Sequence, residues 1–149
     1  MRHLTSLCKI LVLDLGAGMN ALNKRIVGEC SEVLVAVEPQ RVALAMARNL
    51  LTELDAAGIG QARIDIVMVS RLRSSLQTSW QAAETILDHS VQNIVTPAPE
   101  LAYQAAETGT PLIIVQPDSV TADQLRKLAK FAAQKAMPGV ATELAEHGA

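Results

Sequence analysis

Four short apolar runs, rich in Val, Ile and Leu and separated by helical patterns, constrain the fold of this chain more than any other feature. Short runs that are apolar throughout are typical of strands buried on both faces of a parallel sheet. We therefore predict strands over residues 9 to 15, 32 to 38, 64 to 70 and 91 to 96.

Amphipathic patterns with helical spacing lie between these runs, and two more follow the last run. They predict helices over residues 19 to 30, 40 to 57, 77 to 88, 99 to 108 and 121 to 136. Pro99 marks one helix start, and the glycines at 58 and 109 mark two helix ends. The regular alternation predicts the α/β class, as a Rossmann-like three-layer sandwich with a mostly parallel sheet of about four to five strands.

The length of 149 residues, half of them apolar, predicts one domain with one core, over residues 1 to 136. Residues 137 to 149 are small and polar and contain Pro138 and Gly139, so we predict a flexible tail there. No apolar run approaches the roughly 20 residues of a membrane-spanning helix. The formal net charge of −2 gives no strong signal for nucleic-acid binding.

Ligands of open parallel sheets bind beyond the carboxyl ends of the strands, so the residues that directly follow each predicted strand are the candidates for a site. These residues are Asp14, Gly16, Gly18, Glu38, Ser70, Arg71, Thr96 and Pro97. The two glycines allow a ligand to approach the backbone, and the helix that follows them points its amides toward the same place. This pattern favours an anionic ligand such as a phosphate. The simpler alternatives are a turn or capping role for Asp14 and a helix first-turn role for Glu38.

The stretches "VLDLGAGMN" and "LVAVEPQRVALAMARNL" resemble the first two motifs of S-adenosylmethionine-dependent methyltransferases. That resemblance implies a cofactor pocket in which the turn from Asp14 to Gly18 lies under the methionine part and Glu38 binds the ribose. Asn20 departs from the motif, which has a third glycine at this position.

A second resemblance covers residues 8 to 133 and concerns the C-terminal part of ParA/MinD-type P-loop ATPases. The segment "TPAPELAYQAAETGTPLIIVQPDSVTADQLRKLAKFA" is similar to the C-terminal segment of that family in the order of its Pro turn, "GTPL", "PDS" and "RKLA" elements. Upstream, "LVLDLGAG" resembles the Walker B strand and the adjoining switch, and "VMVSRLRSS" resembles the family's strand that ends in Asn-Arg. The order of these motifs makes this resemblance the preferred one.

The ATPase resemblance implies a role for each candidate residue. Asp14 is the implied catalytic residue, which orients a Mg-bound water or the Mg ion, and Gly16 and Gly18 lie near the γ-phosphate. Ser70 and Arg71 occupy the position of the Asn-Arg pair that reads adenine, although a serine cannot supply both a donor and an acceptor in that plane. Thr96 and Pro97 form the other wall of the base pocket.

The sequence contains no GxxxxGK[ST] motif and therefore no phosphate-binding loop with its lysine. The resemblance then implies that ATP and Mg are cofactors of an intact parent protein, and that this chain alone neither hydrolyses ATP nor is expected to hold a cofactor. We favour a fragment of a longer protein over a complete degenerate homologue. A non-catalytic α/β interaction module is the third interpretation.

Several expectations about partners follow from the same resemblance. The "VEP" element and the helix at 44 to 51 favour CpaE-like proteins, in which a receiver-type domain precedes the ATPase domain. Loss of the phosphate-loop strand would leave the strand at Leu11 to Leu15 as an unpaired apolar edge, so we predict a homo-oligomer. The implied location is cytoplasmic, with peripheral contact at the inner membrane considered for the parent system.

Overall fold

A computed structural model of the chain describes residues 6 to 137, and the predicted tail lies outside the described residues except for Met137. Three parallel strands form one sheet in the order β1-β2-β3. Their bounds are Val33–Val37 for β1, Ile64–Val69 for β2 and Val91–Val95 for β3. The α/β class with a parallel sheet is confirmed, but within residues 6 to 137 the sheet has fewer strands than predicted.

Six helices accompany the sheet in the described part of the chain. They are α1 (Ala21–Glu29), α2 (Arg41–Ala56), α3 (Trp80–Leu87), α4 (Pro99–Thr108), α5 (Leu112–Val115) and α6 (Val120–Ala136), with a 3-10 turn at Gln61–Arg63 before β2. All five predicted helices are present. The short helix α5 was not predicted, because four apolar residues are too few to show a helical period.

The predicted strand over residues 9 to 15 is wrong, because the backbone there is irregular. Exposure alternates along this segment as it would in a strand, since Leu11, Leu13 and Leu15 are half-buried while Val12 is 86% exposed. A strand also needs a neighbour that supplies ladder hydrogen bonds, and among residues 6 to 137 no strand pairs with this segment. The alternating exposure agrees with the strand pattern in the sequence, but the neighbouring strand that would pair with this segment is not among residues 6 to 137.

The core lies mainly between one face of the sheet and helices α2 and α3. Ile64, Ile66 and Met68 of β2 belong to the same buried cluster as Leu44 of α2 and Leu87 of α3. The opposite face of β2 lies toward α6. The layers therefore enclose β2 on both faces, which explains why its residues are apolar almost throughout.

Glu84 connects helix α3 to the start of β3. The backbone N–H of Val91 donates to Glu84 Oε1 at 2.9 Å. This bond, together with a hydrogen bond from Trp80, lowers the pKa of the Glu84 carboxyl. A lowered pKa in the folded state means that Glu84 stabilises the fold above the ordinary pKa of a glutamate and loses this effect as the pH falls through the folded-state pKa.

We expect Glu84→Gln to lower the free energy of unfolding at pH 7, and we expect this difference from the wild type to shrink as the pH falls through the lowered pKa of Glu84. Urea denaturation of both chains at pH 7, 5 and 3 measures the difference. Glu107→Gln, on the exposed side of α4, is the control. An equal loss at all three pH values would show that the charge of Glu84 is not involved.

Candidate functional site at the carboxyl ends of the strands

The loop from Asp14 to Gly18 precedes α1 and presents its backbone to solvent. Asp14 Oδ1 accepts a hydrogen bond from the N–H of Gly16 at 2.9 Å, which closes a local turn. Gly16 and Gly18 have φ values of +66° and +80°, in the region that glycine adopts more readily than other residues. A Cβ built on either glycine would meet no atom within 4 Å. The loop is thus a folded turn with open space above both glycines.

Asn23 of helix α1 forms hydrogen bonds with the backbone of this loop. It was not predicted as a site residue. Its side-chain Nδ2 donates to the carbonyl of Leu15 at 3.1 Å and to that of Gly18 at 3.0 Å. The side chain lies on α1, beside the helix cap Asn20, and only 5% of Asn23 is exposed. The sequence does carry a signal for this role, because Asn23 is a polar residue on the apolar face of an amphipathic helix. A polar side chain that is buried in this way needs hydrogen-bond partners.

Glu38 and Arg71 come together across the ends of β1 and β2. Arg71 Nη2 lies 2.5 Å from Glu38 Oε1, and the amide of Gln40 donates to Glu38 Oε2 at 3.1 Å. Both carboxylate oxygens of Glu38 are therefore engaged within the chain. The Arg71 side chain is 76% exposed, so the ion pair itself contributes little stability.

A groove of 630 Å³ lies beside this ion pair. Its walls come from the segment that follows β1 and from the loop that follows β2, and they include Pro39, Arg41, Leu72 and Thr78. The N–H of Thr78 donates to the carbonyl of Pro39 at 2.9 Å and joins the two walls. The segments after β1 and β2 thus lie side by side at one edge of the sheet.

Ser70 and Thr96, after β2 and β3, lie in neighbouring positions because the N–H of Ser70 donates to the carbonyl of Val95 at 2.9 Å. The N–H and Oγ1 of Thr96 both donate to Gln124 Oε1 of α6, at 2.8 and 2.9 Å. The hydroxyl of Thr96 is therefore committed to an internal hydrogen bond. Pro97 is half-buried beside it.

Asp14 is the carboxylate that the sequence predicts as a Mg²⁺ ligand. Between residues 6 and 137, no group of three His, Cys, Asp or Glu side chains could hold a metal ion. Asp14 supplies one carboxylate, and Mg²⁺ takes six oxygen ligands, several of which are waters or substrate phosphates. Among the helices of the described part, none is long and apolar enough to cross a membrane.

A parallel sheet with helices on both faces places the chain in the class of open α/β domains, which bind ligands beyond the carboxyl ends of the strands. Within that class, the structure is similar to a ParA family ATPase from Chlorobium tepidum TLS, with a TM-score of 0.78 and 16% identity, over 85% of this chain and 52% of that chain. It is also similar to the septum site-determining protein MinD from Pyrococcus horikoshii OT3, solved with Mg-ADP. The TM-score is 0.70 and the identity 19%, over 85% of this chain and 50% of that chain.

Sequence comparison gives a further relative, an uncharacterised ATP-binding protein of Methanocaldococcus jannaschii. It is 27% identical over 132 residues, which are 87% of this chain and 48% of that protein. No protein-family profile matches the chain. The chain spans about half the length of each of these relatives. The predicted resemblance to part of a ParA/MinD-type domain is thus confirmed at the level of the fold.

Proposed function

We propose that this chain is the C-terminal part of a ParA/MinD/CpaE-like regulatory or positioning ATPase domain. It contributes a Walker B-like loop and base-side residues to a nucleotide site and does not hydrolyse ATP alone. The observation that carries the proposal is the turn from Asp14 to Gly18, which the Asn23 side chain holds by two hydrogen bonds and which leaves open space above both glycines. The relative in Methanocaldococcus jannaschii, named as ATP-binding, supports the choice of ligand.

The chain's own groups have limited but definite roles in this proposal. Asp14 would supply the hard carboxylate that orients a Mg-bound water, while its Oδ1 accepts the N–H of Gly16. The backbone at Gly16 and Gly18 would lie near the phosphate of a bound nucleotide. Mg and ATP supply the charged centre when bound. The phosphate-binding lysine comes from a segment that this sequence does not contain.

The residues that would line the nucleotide-base pocket shape its wall more than they recognise the base through their side chains. Ser70 and Thr96 form adjacent wall segments, and Pro97 gives the wall a fixed backbone direction. The Thr96 hydroxyl bonds Gln124, so contact with a base would come from the backbone and from Arg71, whose side chain is exposed. We propose on this basis that adenine selectivity is weak.

We further propose that the work of the parent protein is nucleotide-dependent association with protein partners in the cytoplasm, with a receiver-type domain preceding the ATPase domain. The chain alone self-associates in this proposal. The support is the large share of apolar side chains left exposed, among them Val12, Val42, Met46 and Leu76.

Calorimetric titration with ATP-Mg, ADP and S-adenosylmethionine tests the nucleotide site. The titrations are made on this chain alone and on its mixture with the part of the Methanocaldococcus jannaschii relative that it does not match. We expect ATP-Mg to bind only the mixture, and Asp14→Ala to weaken that binding about tenfold, which corresponds to roughly 1.4 kcal/mol. Asp118→Ala, an exposed aspartate outside the site, is the matched control.

Two outcomes would overturn the proposal. Binding of S-adenosylmethionine to the chain alone, lost in Asp14→Ala, would make it a methyltransferase-like domain. If none of the three ligands binds either the chain alone or the mixture, the result would favour a non-catalytic interaction module.

A further inference from the structure

Strand β1 bonds a neighbouring strand on one side only. Its residues, Val33–Val37, pair with β2, and no strand described between residues 6 and 137 pairs with the other edge. Soluble proteins normally protect such an edge with a charged residue, a proline or a bulge, and the sequence Val-Leu-Val-Ala-Val has none of these. This edge is therefore suited to accept a further strand.

The segment from residue 11 to residue 15 belongs on the side of β1 where this edge is open. Val27 of α1 lies in the same core cluster as Val35 of β1 and Leu44 of α2, so α1 and α2 cover the same face of the sheet. Connections between parallel strands are right-handed with rare exceptions, and right-handed connections over one face all step in the same direction across the sheet. Since α2 leads from β1 to β2, the connection through α1 reaches β1 from the side away from β2.

This segment has the exposure pattern of a strand but no ladder of hydrogen bonds. Its residues alternate in exposure, with Leu13 and Leu15 half-buried and Val12 86% exposed, and Leu15 packs against the core cluster. No ladder joins the segment to β1. Between residues 11 to 15 and β1 there is thus a gap, which a single strand would fill by bonding both neighbours.

A strand that fills this gap needs two free edges. In the described part of the chain, β2 is bonded on both sides, and β1 and β3 are each bonded to β2. None of these strands in a second copy could therefore enter the gap without leaving its own sheet. The chain spans about half the length of each relative described above, so the unmatched half of such a relative is a source of additional strands.

One face of β1 also lacks a cover. In the parallel register Leu34 pairs with Asp65, and Ala36 pairs with Val67. The two β2 residues are buried on the α6 side of the sheet, whereas Leu34 is 46% exposed and Ala36 is exposed as well. Parallel sheets normally have helices on both faces. The part that fills the gap should therefore also bring a helix to this side of β1.

We propose that the half of the parent domain that this chain does not contain inserts one parallel strand between residues 11 to 15 and β1, and lays a helix over Leu34 and Ala36. The inference rests on the proposed function, which takes the chain as part of a ParA/MinD/CpaE-like domain, and it names the surface on which the two parts join. The inserted strand is apolar throughout, because it is buried on both faces. The completed sheet then contains five strands.

Hydrogen–deuterium exchange without nucleotide tests the insertion. The chain is measured alone and co-expressed with the part of the Methanocaldococcus jannaschii relative that it does not match. We expect the two parts to co-purify, and we expect exchange to slow by about tenfold or more in two segments together, residues 11 to 15 and Val33–Val37, since the inserted strand bonds both. Failure to co-purify, or slower exchange in β1 alone, would overturn the insertion.

A charged variant tests the uncovered face. Leu34→Lys should weaken the association of the two parts about tenfold or more, because the lysine would have to be buried under the incoming helix. The variant chain alone should keep its far-UV circular dichroism. Ile114→Lys, at a 64% exposed apolar residue of α5, is the matched control and should associate like the wild type. Equal association of Leu34→Lys and wild type would overturn the proposed surface.

These readouts separate the surface from the nucleotide site. If the two parts assemble with both segments protected but the assembly does not bind ATP-Mg, the proposed nucleotide site is wrong and the proposed surface stands. If ATP-Mg binds and the two segments are not protected, the surface is wrong and the nucleotide site stands.

Discussion

Replacing Lys135 by methionine is expected to lower the free energy of unfolding by about 3 kcal/mol, a value at the lower end for a broken buried ion pair because the lysine is partly exposed. Lys135 Nζ lies 3.0 and 2.9 Å from the two carboxylate oxygens of Asp65. It also donates to the carbonyl of Ala62 at 3.1 Å. The variant would leave the Asp65 carboxylate, whose side chain is only 8% exposed, without its cation. Chemical denaturation at pH 7 measures the loss.

Two control variants separate the buried pair from a general charge effect. Lys127→Met removes an exposed ion pair with Asp123 on the same helix and should have little effect. Asp65→Leu combined with Lys135→Met should recover much of the lost stability, since an apolar pair can replace a buried ion pair. If the double variant is no more stable than Lys135→Met alone, the loss arises from packing or from Glu32, which also loses its ion pair with Lys135, and not from the Asp65 carboxylate.

The pH dependence of this pair has a definite sign. Burial acts to lower the pKa of Lys135, but the hydrogen bonds and charges of Asp65 and Glu32 outweigh it and raise the pKa above its ordinary value. A raised pKa gives a stabilisation that is complete below the unfolded-state pKa and is lost as the pH rises through the folded-state pKa. The difference between wild type and Lys135→Met should therefore shrink above roughly pH 10.5.

Asn23→Leu is expected to lower the free energy of unfolding by about 2 kcal/mol, because the carbonyls of Leu15 and Gly18 lose their shared donor, which belongs to a residue that is only 5% exposed. The same change frees the loop at Leu15 and Gly18, so backbone amides near Gly16 should exchange faster with deuterium. Lys24→Met, at the next, exposed position of α1, should change stability by less than about 0.5 kcal/mol.

The role of Asn23 can be separated from capping of the same helix. Asn20 accepts the N–H of Asn23 at 2.8 Å, and Asn20→Ala should cost about 1 kcal/mol as an ordinary lost cap. The cap variant should leave the carbonyls of Leu15 and Gly18 bonded to Asn23. If Asn20→Ala and Asn23→Leu accelerate exchange in the loop equally, then the helix end and not the Asn23 side chain orders the loop.

The helices of this fold could be predicted because their limits are encoded locally. Pro99 occupies the first turn of α4, and Gly109 ends that helix with a φ of +60°. Three of the four predicted strands have the local pattern and also have neighbours in the sheet. The segment from 9 to 15 has the pattern alone, and a pattern cannot show whether a ladder partner exists.

The contacts of the candidate site likewise fall into local ones, which the sequence predicts, and long-range ones, which it does not. The turn at Asp14, with its glycines, could be predicted because its hydrogen bond joins residues two positions apart. The Glu38–Arg71 pair and the bond between Lys135 and Asp65 join residues far apart in the sequence. Such contacts depend on the register and layering of the sheet, which a single sequence does not specify.

Helix α6 is attached at both ends of the sheet. Near its start Gln124 accepts hydrogen bonds from Thr96, after the carboxyl end of β3, and in its last turn Lys135 binds Asp65 near the amino end of β2. The two attachments are eleven positions apart in the sequence and are therefore separated by about 16 Å along the helix. A shortened chain that ended before Lys135 would keep, of these two attachments, only the one at Thr96. The C-terminal end of its last helix would no longer be anchored to Asp65. The usable C-terminal boundary for any truncated or tagged version of this protein therefore lies beyond residue 135.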